Sequence, residues 1–197
     1  MAASLSEGNN AIALLGSTLA TGCILYVLIT VLGPISGAHF NPAVTLGFFL
    51  QKQVTAQLAC LYLLVQAIGG VLGVWLAHLM FELPIWQIGT NARTGVAQWI
   101  SEGVATFGLV FVILAGLKFR PQAVAALVGI YISAGYWFTA STSFANPAVS
   151  LARSWTDTFS GIDPYHMPAF IVAQIVGAIV AVLVYKWLIP SPATQDS

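Results

Sequence analysis

"SGAHFNPAVTLGFFL" at 36–50 and "STSFANPAVSLARSW" at 141–155 share one run, Asn-Pro-Ala-Val followed by Thr or Ser and then Leu, with the asparagines 105 residues apart at 41 and 146. An Asn side chain accepts hydrogen bonds from the free N–H groups that open a helix, and Pro is favoured at the first helical position. Each run therefore reads as a helix start. The apolar stretch that follows is short in both copies, 41–51 and 146–159. Eleven helical residues extend about 16 Å, roughly half of a hydrocarbon core some 30 Å thick. The approaches, LGPISGAHF and FTASTSFA, are poor candidates for continuous helix. Each run thus predicts a helix that begins in the middle of a membrane. Irregular backbone at that depth is tolerated only where it is buried in protein or lines an aqueous cavity.

The rest of the chain supplies the membrane. Of its 197 residues, 58% are hydrophobic and 6% charged, against about 25% charged in soluble domains. Five stretches are long enough to cross a bilayer: 11–33, 55–81, 98–119, 123–142 and 167–189. The chain reads as one all-α integral membrane domain over 1–197. Glycines within these spans, among them Gly69, Gly70, Gly73, Gly129, Gly135 and Gly177, suit membrane helices that approach closely. A net charge of zero gives no footing for nucleic acid. Cys23 and Cys60 lie inside apolar runs and read as packing residues; no spacing suggests a metal site, and nothing calls for a cofactor. The polar first ten residues, MAASLSEGNN, lack the basic start of a cleavable signal.

Lysine and arginine set the orientation. If the five spans alternate, Lys52, Lys118, Arg120 and Lys186 share one side, while Arg93 and Arg153 fall on the other. The majority places the C-terminal end in the cytoplasm and the N-terminal end outside. Three spans intervene between the half-helices, so one enters from each face. A second correspondence, Gln66-Ala-Ile-Gly69 with Gln174-Ile-Val-Gly177, supports an inverted repeat, an arrangement that builds a site at the midplane. The half-helices then meet N-terminus to N-terminus, each with roughly half a positive charge. That meeting point repels cations and protons, while Asn41 and Asn146 offer amide donors to a neutral oxygen. A pore for uncharged, hydroxylated molecules follows.

The chain resembles the aquaporin family, the major intrinsic proteins, from about residue 11 to 190. SGAHFNPAVTLG at 36–47 and FANPAVS at 144–150 carry the likeness, with Glu102 in "SEGVATFGLVFVIL". The resemblance implies an aquaporin-like fold of inverted repeats with two re-entrant half-helices. It implies a channel for water and small neutral solutes rather than an enzyme, in a lipid bilayer, as a homotetramer with one pore per subunit. The pore motifs would be Asn41, Pro42, Ala43 and Asn146, Pro147, Ala148. Glu102 would hold the backbone of the second re-entrant loop.

Two departures from the family stand out. The first half begins directly at its second element, 11–33, so five spans replace six; either Met1 is an internal methionine or the chain is a five-span variant. The second departure lies in the filter. Most members place Arg directly after the second motif, and here that position is Val149. By resemblance the other constriction residues are Thr21, Ala134 and Ser143, all small or medium and uncharged. Such a filter is wide, and it suits glycerol, urea and neutral metalloid acids such as arsenous acid, as in bacterial inner-membrane members associated with arsenic resistance. Arg153, one turn beyond Val149, either charges the external vestibule or snorkels to water. His39 is either a pH-sensitive group at the cytoplasmic mouth or a hydrogen-bonded loop histidine; His78 and His166 have no evident partners. A secondary transporter and a non-conducting membrane protein are the rival functions, and a water-selective channel the rival specificity.

Overall fold

Every regular element among residues 1–189, the part the computed structural model describes, is helical; expectations for 190–197 lie outside the described residues. A single turn, α1 (Ala2–Leu5), precedes α2 (Asn10–Ser36). Then follow α3 (Pro42–Leu50), α4 (Ala56–Met80), α5 (Val96–Phe119), α6 (Val124–Phe138), α7 (Pro147–Arg153) and α8 (Met167–Leu188). Four of them, α2, α4, α5 and α8, are long and apolar enough to cross a membrane. α6 is shorter, at 15 residues, or about 22 Å.

The element ends differ from the sequence reading by three residues or more in three places, each with a local cause. α2 runs through Pro34 to Ser36 instead of stopping at 33. Proline removes one hydrogen bond there, but the helix closes two residues later, where Gly37 adopts a left-handed conformation and donates its N–H to the Gly33 carbonyl. α6 ends at 138 rather than 142, since Thr139 turns extended and its hydroxyl donates to the Gly135 carbonyl at 2.6 Å. α7 ends at Arg153 rather than 159. The carbonyls of Arg153 and Ser154 accept from the backbone N–H groups of Ile162 and Gly89, at 3.1 and 2.9 Å, and Trp155 turns into a cluster with Trp75 and Trp86.

Two backbone-to-backbone contacts organise the bundle. A Cβ on Gly177 of α8 would lie 2.3 Å from the Gly103 carbonyl oxygen of α5, and one on Gly129 of α6 would lie 2.7 Å from that of Gly22 in α2. Without a hydrophobic drive between helices in lipid, such closeness lets dispersion and packing hold them together. The buried core forms along α5, α8, α3 and α6, around Val110, Val182, Val44 and Ile132. Outward faces are apolar: Leu64, Ile68, Leu72 and Leu76 of α4 are exposed, and His78 is the buried residue of that helix. Cys23 and Cys60 are free and exposed on such faces.

The two halves repeat in backbone as well as in sequence. Gly37, Ala38 and Phe40 have positive φ, as do Thr142, Ser143 and Ala145, their counterparts 105 residues on. Asn41 (φ −156°, ψ 121°) and Asn146 (φ −158°, ψ 111°) then return to extended geometry as helix caps. Positive φ at residues other than glycine costs on the order of 1–3 kcal/mol each. That three positive-φ positions recur in register, five of the six residues not glycine, shows both loops bent to one shape.

Candidate functional site

The two half-helices lock each other. Asn41 Oδ1 accepts from Ala43 N at 2.8 Å, and Asn146 Oδ1 accepts from Ala148 N and Val149 N at 3.0 and 3.2 Å. With the oxygens committed to their own helices, the amide nitrogens reach across. Asn41 Nδ2 donates to the Ala145 carbonyl at 2.7 Å, and Asn146 Nδ2 donates to the Phe40 carbonyl at 2.9 Å. Pro42 and Pro147 occupy the first helical position without a donor to satisfy, and Ala43 and Ala148 are buried behind them. α3 and α7 therefore meet at their N-termini.

A polar network backs each loop. Gln66 Nε2 donates to Thr45 Oγ1 at 3.0 Å, and Thr45 Oγ1 donates to the Asn41 carbonyl at 3.2 Å. In the other half, Gln174 Nε2 donates to Ser150 Oγ at 2.9 Å, and Ser150 Oγ donates to the Asn146 carbonyl at 3.1 Å. The second half adds Glu102, which is fully buried. Its two oxygens accept from Phe144 N and Ala145 N, both at 2.8 Å, and Oε2 also accepts from Gln174 Nε2 at 2.7 Å. The strained turn before Asn146 thus has its inward N–H groups satisfied, as a buried backbone requires.

A cavity of about 610 Å³ runs past this junction. It reaches from Gln53 and Leu117 at one end, past Asn41 and Asn146, to Arg153 at the other. α6 contributes Val124, Val128, Ile132 and Tyr136, a four-residue spacing that lies along one helix face. Thr21, Ser143 and Val149 also line the cavity. Ala134 does not share their position. It is exposed, two residues from both Ile132 and Tyr136, which turns it about 200° away from the lining face. Counting from the motif placed it in the filter; the helix face takes it out.

Arg153 decides between the two directions that the sequence leaves open. The Arg153 end of the cavity holds a fixed cation, since that side chain lines it, donates from Nη2 to Tyr136 Oη at 3.2 Å, and stands 4.2 Å over the Phe144 ring. Thr21 Oγ1 lies 3.2 Å from that same Tyr136 Oη. Arg93 serves the surrounding loops. Its Nε and Nη2 donate to the carbonyls of Gly161 and Phe159, at 2.8 and 3.1 Å, and its Cζ stands 5.1 Å from the Phe144 ring centroid. Burial, and then the neighbouring Arg153, lower the Arg93 pKa to about 10, so it remains a cation at neutral pH.

The histidines have structural partners. His39 lines the cavity with its ring stacked on Phe48 at 4.4 Å and Nδ1 3.0 Å from Thr45 Oγ1. His78 pins the segment after α4 to that after α7, with Nδ1 2.9 Å from the Ile85 carbonyl and Nε2 2.9 Å from Thr156 Oγ1. His166 Nδ1 accepts from Arg93 N at 3.3 Å. Sequence reasoning overlooked Tyr136 and Phe144. The four-residue apolar register of α6 and the alignment of Phe144 with His39 would have marked them.

The sequence model of one family, Major intrinsic protein, matches residues 1–134. The chain belongs to the major intrinsic protein family. Aquaglyceroporin AqpS of Rhizobium meliloti (strain 1021) is 56% identical over 181 residues, which are 92% of this chain and 78% of that one. Aquaporin TIP1-2 of Musa acuminata is 32% identical over 201 residues, covering 93% and 75%. The X-ray structure of the aquaglyceroporin from Plasmodium falciparum matches with a TM-score of 0.72 at 23% identity, over 93% of this chain and 84% of that one, a likeness of fold. This major intrinsic protein is thus a multi-pass membrane channel for water or small solutes, with the aquaglyceroporin fold.

Proposed function

We propose that the chain is a passive channel for water and small uncharged solutes, with glycerol, urea and neutral metalloid acids such as arsenous acid in range, and that it excludes ions and protons. The observation that carries this reading is the reciprocal bond between the half-helices. Each Asn Oδ1 is consumed by its own helix and one N–H of each Nδ2 by the opposite loop. The second N–H of each amide remains, and both asparagines line the cavity. A passing molecule therefore meets donors only, and must present an oxygen lone pair. A water so oriented cannot also donate to the station, which interrupts a proton relay, and two helix N-termini oppose a cation.

The solute range draws support from the cavity's size and sparse polar lining, and from the likeness to a protein called an aquaglyceroporin. Neutral solutes cross such a lining by exchanging hydration for a few placed groups. The cluster of Lys52, Lys118, Arg120 and Lys186 supports a cytoplasmic C-terminal side in a cell inner membrane, with Arg153 at the outer mouth. The exposed apolar faces of α2 and α4 are compatible with a homotetramer in the bilayer.

Stopped-flow light scattering on proteoliposomes tests the reading. Water and glycerol permeabilities should both exceed those of empty vesicles while an imposed pH gradient persists. Water flux without glycerol flux would favour the water-selective alternative. No flux of either would overturn the channel.

A further inference from the structure

The repeat provides an internal comparison between the two mouths. At an offset of 105 residues, Val44 pairs with Val149, His39 with Phe144, and Phe48 with Arg153; all six line the cavity. At one mouth the His39 ring stacks on Phe48 with centroids 4.4 Å apart. At the other, Phe144 takes the place of His39, and the Arg153 guanidinium stands over it at 4.2 Å. An aromatic pair has become a cation–aromatic pair. The fold thus aims the side chain at 153 into the lumen by the geometry that aims Phe48 there, and the direction is not an accident of a long, flexible arginine.

The guanidinium is held, yet most of its donors are uncommitted. Among the described residues Arg153 makes one side-chain hydrogen bond, from Nη2 to Tyr136 Oη, whereas a guanidinium carries five N–H donors. Arg93 differs in spending two of its nitrogens on loop carbonyls. Around Arg153, the Ser143 hydroxyl is buried with no protein partner among the described residues, and Thr21 Oγ1 sits beside Tyr136 Oη. Four polar side chains converge where the remaining lining is mostly apolar.

We propose that Arg153, positioned by Tyr136 and Phe144, determines solute specificity at this mouth, and that with Thr21 and Ser143 it selects small polyols and uncharged oxyacids by their acceptor oxygens. The inference rests on the channel reading above. It moves discrimination one helical turn away from Val149, the position directly after the second motif, and it makes the two mouths chemically unlike. The mouth at His39 and Phe48 admits by size, and the Arg153 mouth by size, charge and acceptor count.

The test compares the parent chain, Arg153→Ala and Tyr136→Phe in proteoliposomes, measuring water, glycerol, xylitol and potassium fluxes. Arg153→Ala removes bulk and charge, so the xylitol-to-water ratio should rise about tenfold and a potassium leak should appear. Tyr136→Phe keeps volume and charge but releases the guanidinium into the lumen. Losing a bond to a charged group should lower the glycerol-to-water ratio about tenfold with potassium still excluded. The two variants thus move solute ratios in opposite directions, which a merely structural role would not do. An active parent with unchanged ratios in Tyr136→Phe overturns the inference alone, and so does Arg153→Ala if it lowers water and solute in parallel. A parent no more permeable than empty vesicles overturns the channel reading and this inference with it.

Discussion

Asn41 and Asn146 each donate to the carbonyl of the residue just before the other, at 2.7 and 2.9 Å across the junction of α3 and α7. The pair makes the half-helix tips one unit. Phe40 and Ala145, whose carbonyls accept these bonds, both take positive φ. Strain in each loop is thereby matched by a bond from the opposite loop. Neither half-helix has its full set of partners alone.

An acidic replacement tests the donor-only station. Asn41→Asp or Asn146→Asp keeps the oxygen that caps the helix, loses the donor that reaches across, and adds a carboxylate where two helix N-termini converge. The negative charge offsets their field, so each variant should pass sodium or potassium at rates above the parent under voltage clamp, with water flux retained. Unchanged ion conductance in variants that still pass water would rule out the electrostatic account.

Glu102 carries the second loop. Glu102→Ala leaves Phe144 N and Ala145 N without their acceptors and removes a partner of Gln174, inside a fully buried pocket. Each orphaned donor costs about 1–3 kcal/mol, so the loss should be on the order of 3 kcal/mol or more. The variant should unfold at lower temperature in detergent. Glu102→Gln, which keeps one carbonyl oxygen, should fall between the two; equal stability of all three proteins would show that the loop does not depend on this side chain.

What the sequence revealed and concealed follows from where each signal is encoded. The starts of α3 and α7 were legible because Asn caps and Pro at the first position act within three residues, and the repeat was legible because those local signals recur. The end of α7 was not, since residues 154–159 carry neither Gly nor Pro to stop a helix, and the stop coincides with the arrival of Ile162 and Gly89 at the Arg153 and Ser154 carbonyls. Ala134 was misplaced because counting from a motif fixes depth along α6 but not the angle around it. The direction of Arg153 was open from sequence alone. Its answer lay in Phe48, the residue it replaces in the repeat, and in Tyr136 on another helix.

A pair of glycines at equivalent places in the two repeats separates packing from permissiveness. Gly177 meets the Gly103 carbonyl so closely that a Cβ would sit at 2.3 Å, whereas a Cβ on Gly69 meets nothing within 4 Å. Gly177→Ala must push α8 away from α5 along a tightly packed seam, and overpacking of this kind costs about 1–3 kcal/mol. Gly69→Ala should instead be neutral or mildly stabilising, as alanine favours the helix by about 0.8–1.0 kcal/mol. Thermal unfolding in detergent reads both. If Gly69→Ala destabilises as much as Gly177→Ala, another protein surface covers Gly69 in the assembled state.

Val149 lies between the asparagine station and Arg153, half-buried against Phe144 and Phe170. Its partner in the other repeat, Val44, is buried and also lines the cavity. Val149→Arg would place a second, permanently charged guanidinium within one turn of the first. The two cations would repel, and the new side chain would have to extend along the lumen, narrowing it inward of Arg153. Glycerol and larger solutes should lose permeability far more than water, because a filter discriminates by diameter and polar lining. Ala134→Ser, on the outward face of α6, should leave the glycerol-to-water ratio at the parent value. Paired stopped-flow traces, shrinkage for water and reswelling for glycerol, measure both variants. A glycerol-to-water ratio unchanged by Val149→Arg would mean that this side chain does not face the path. A ratio moved by Ala134→Ser would return α6 to the register counted from the motif.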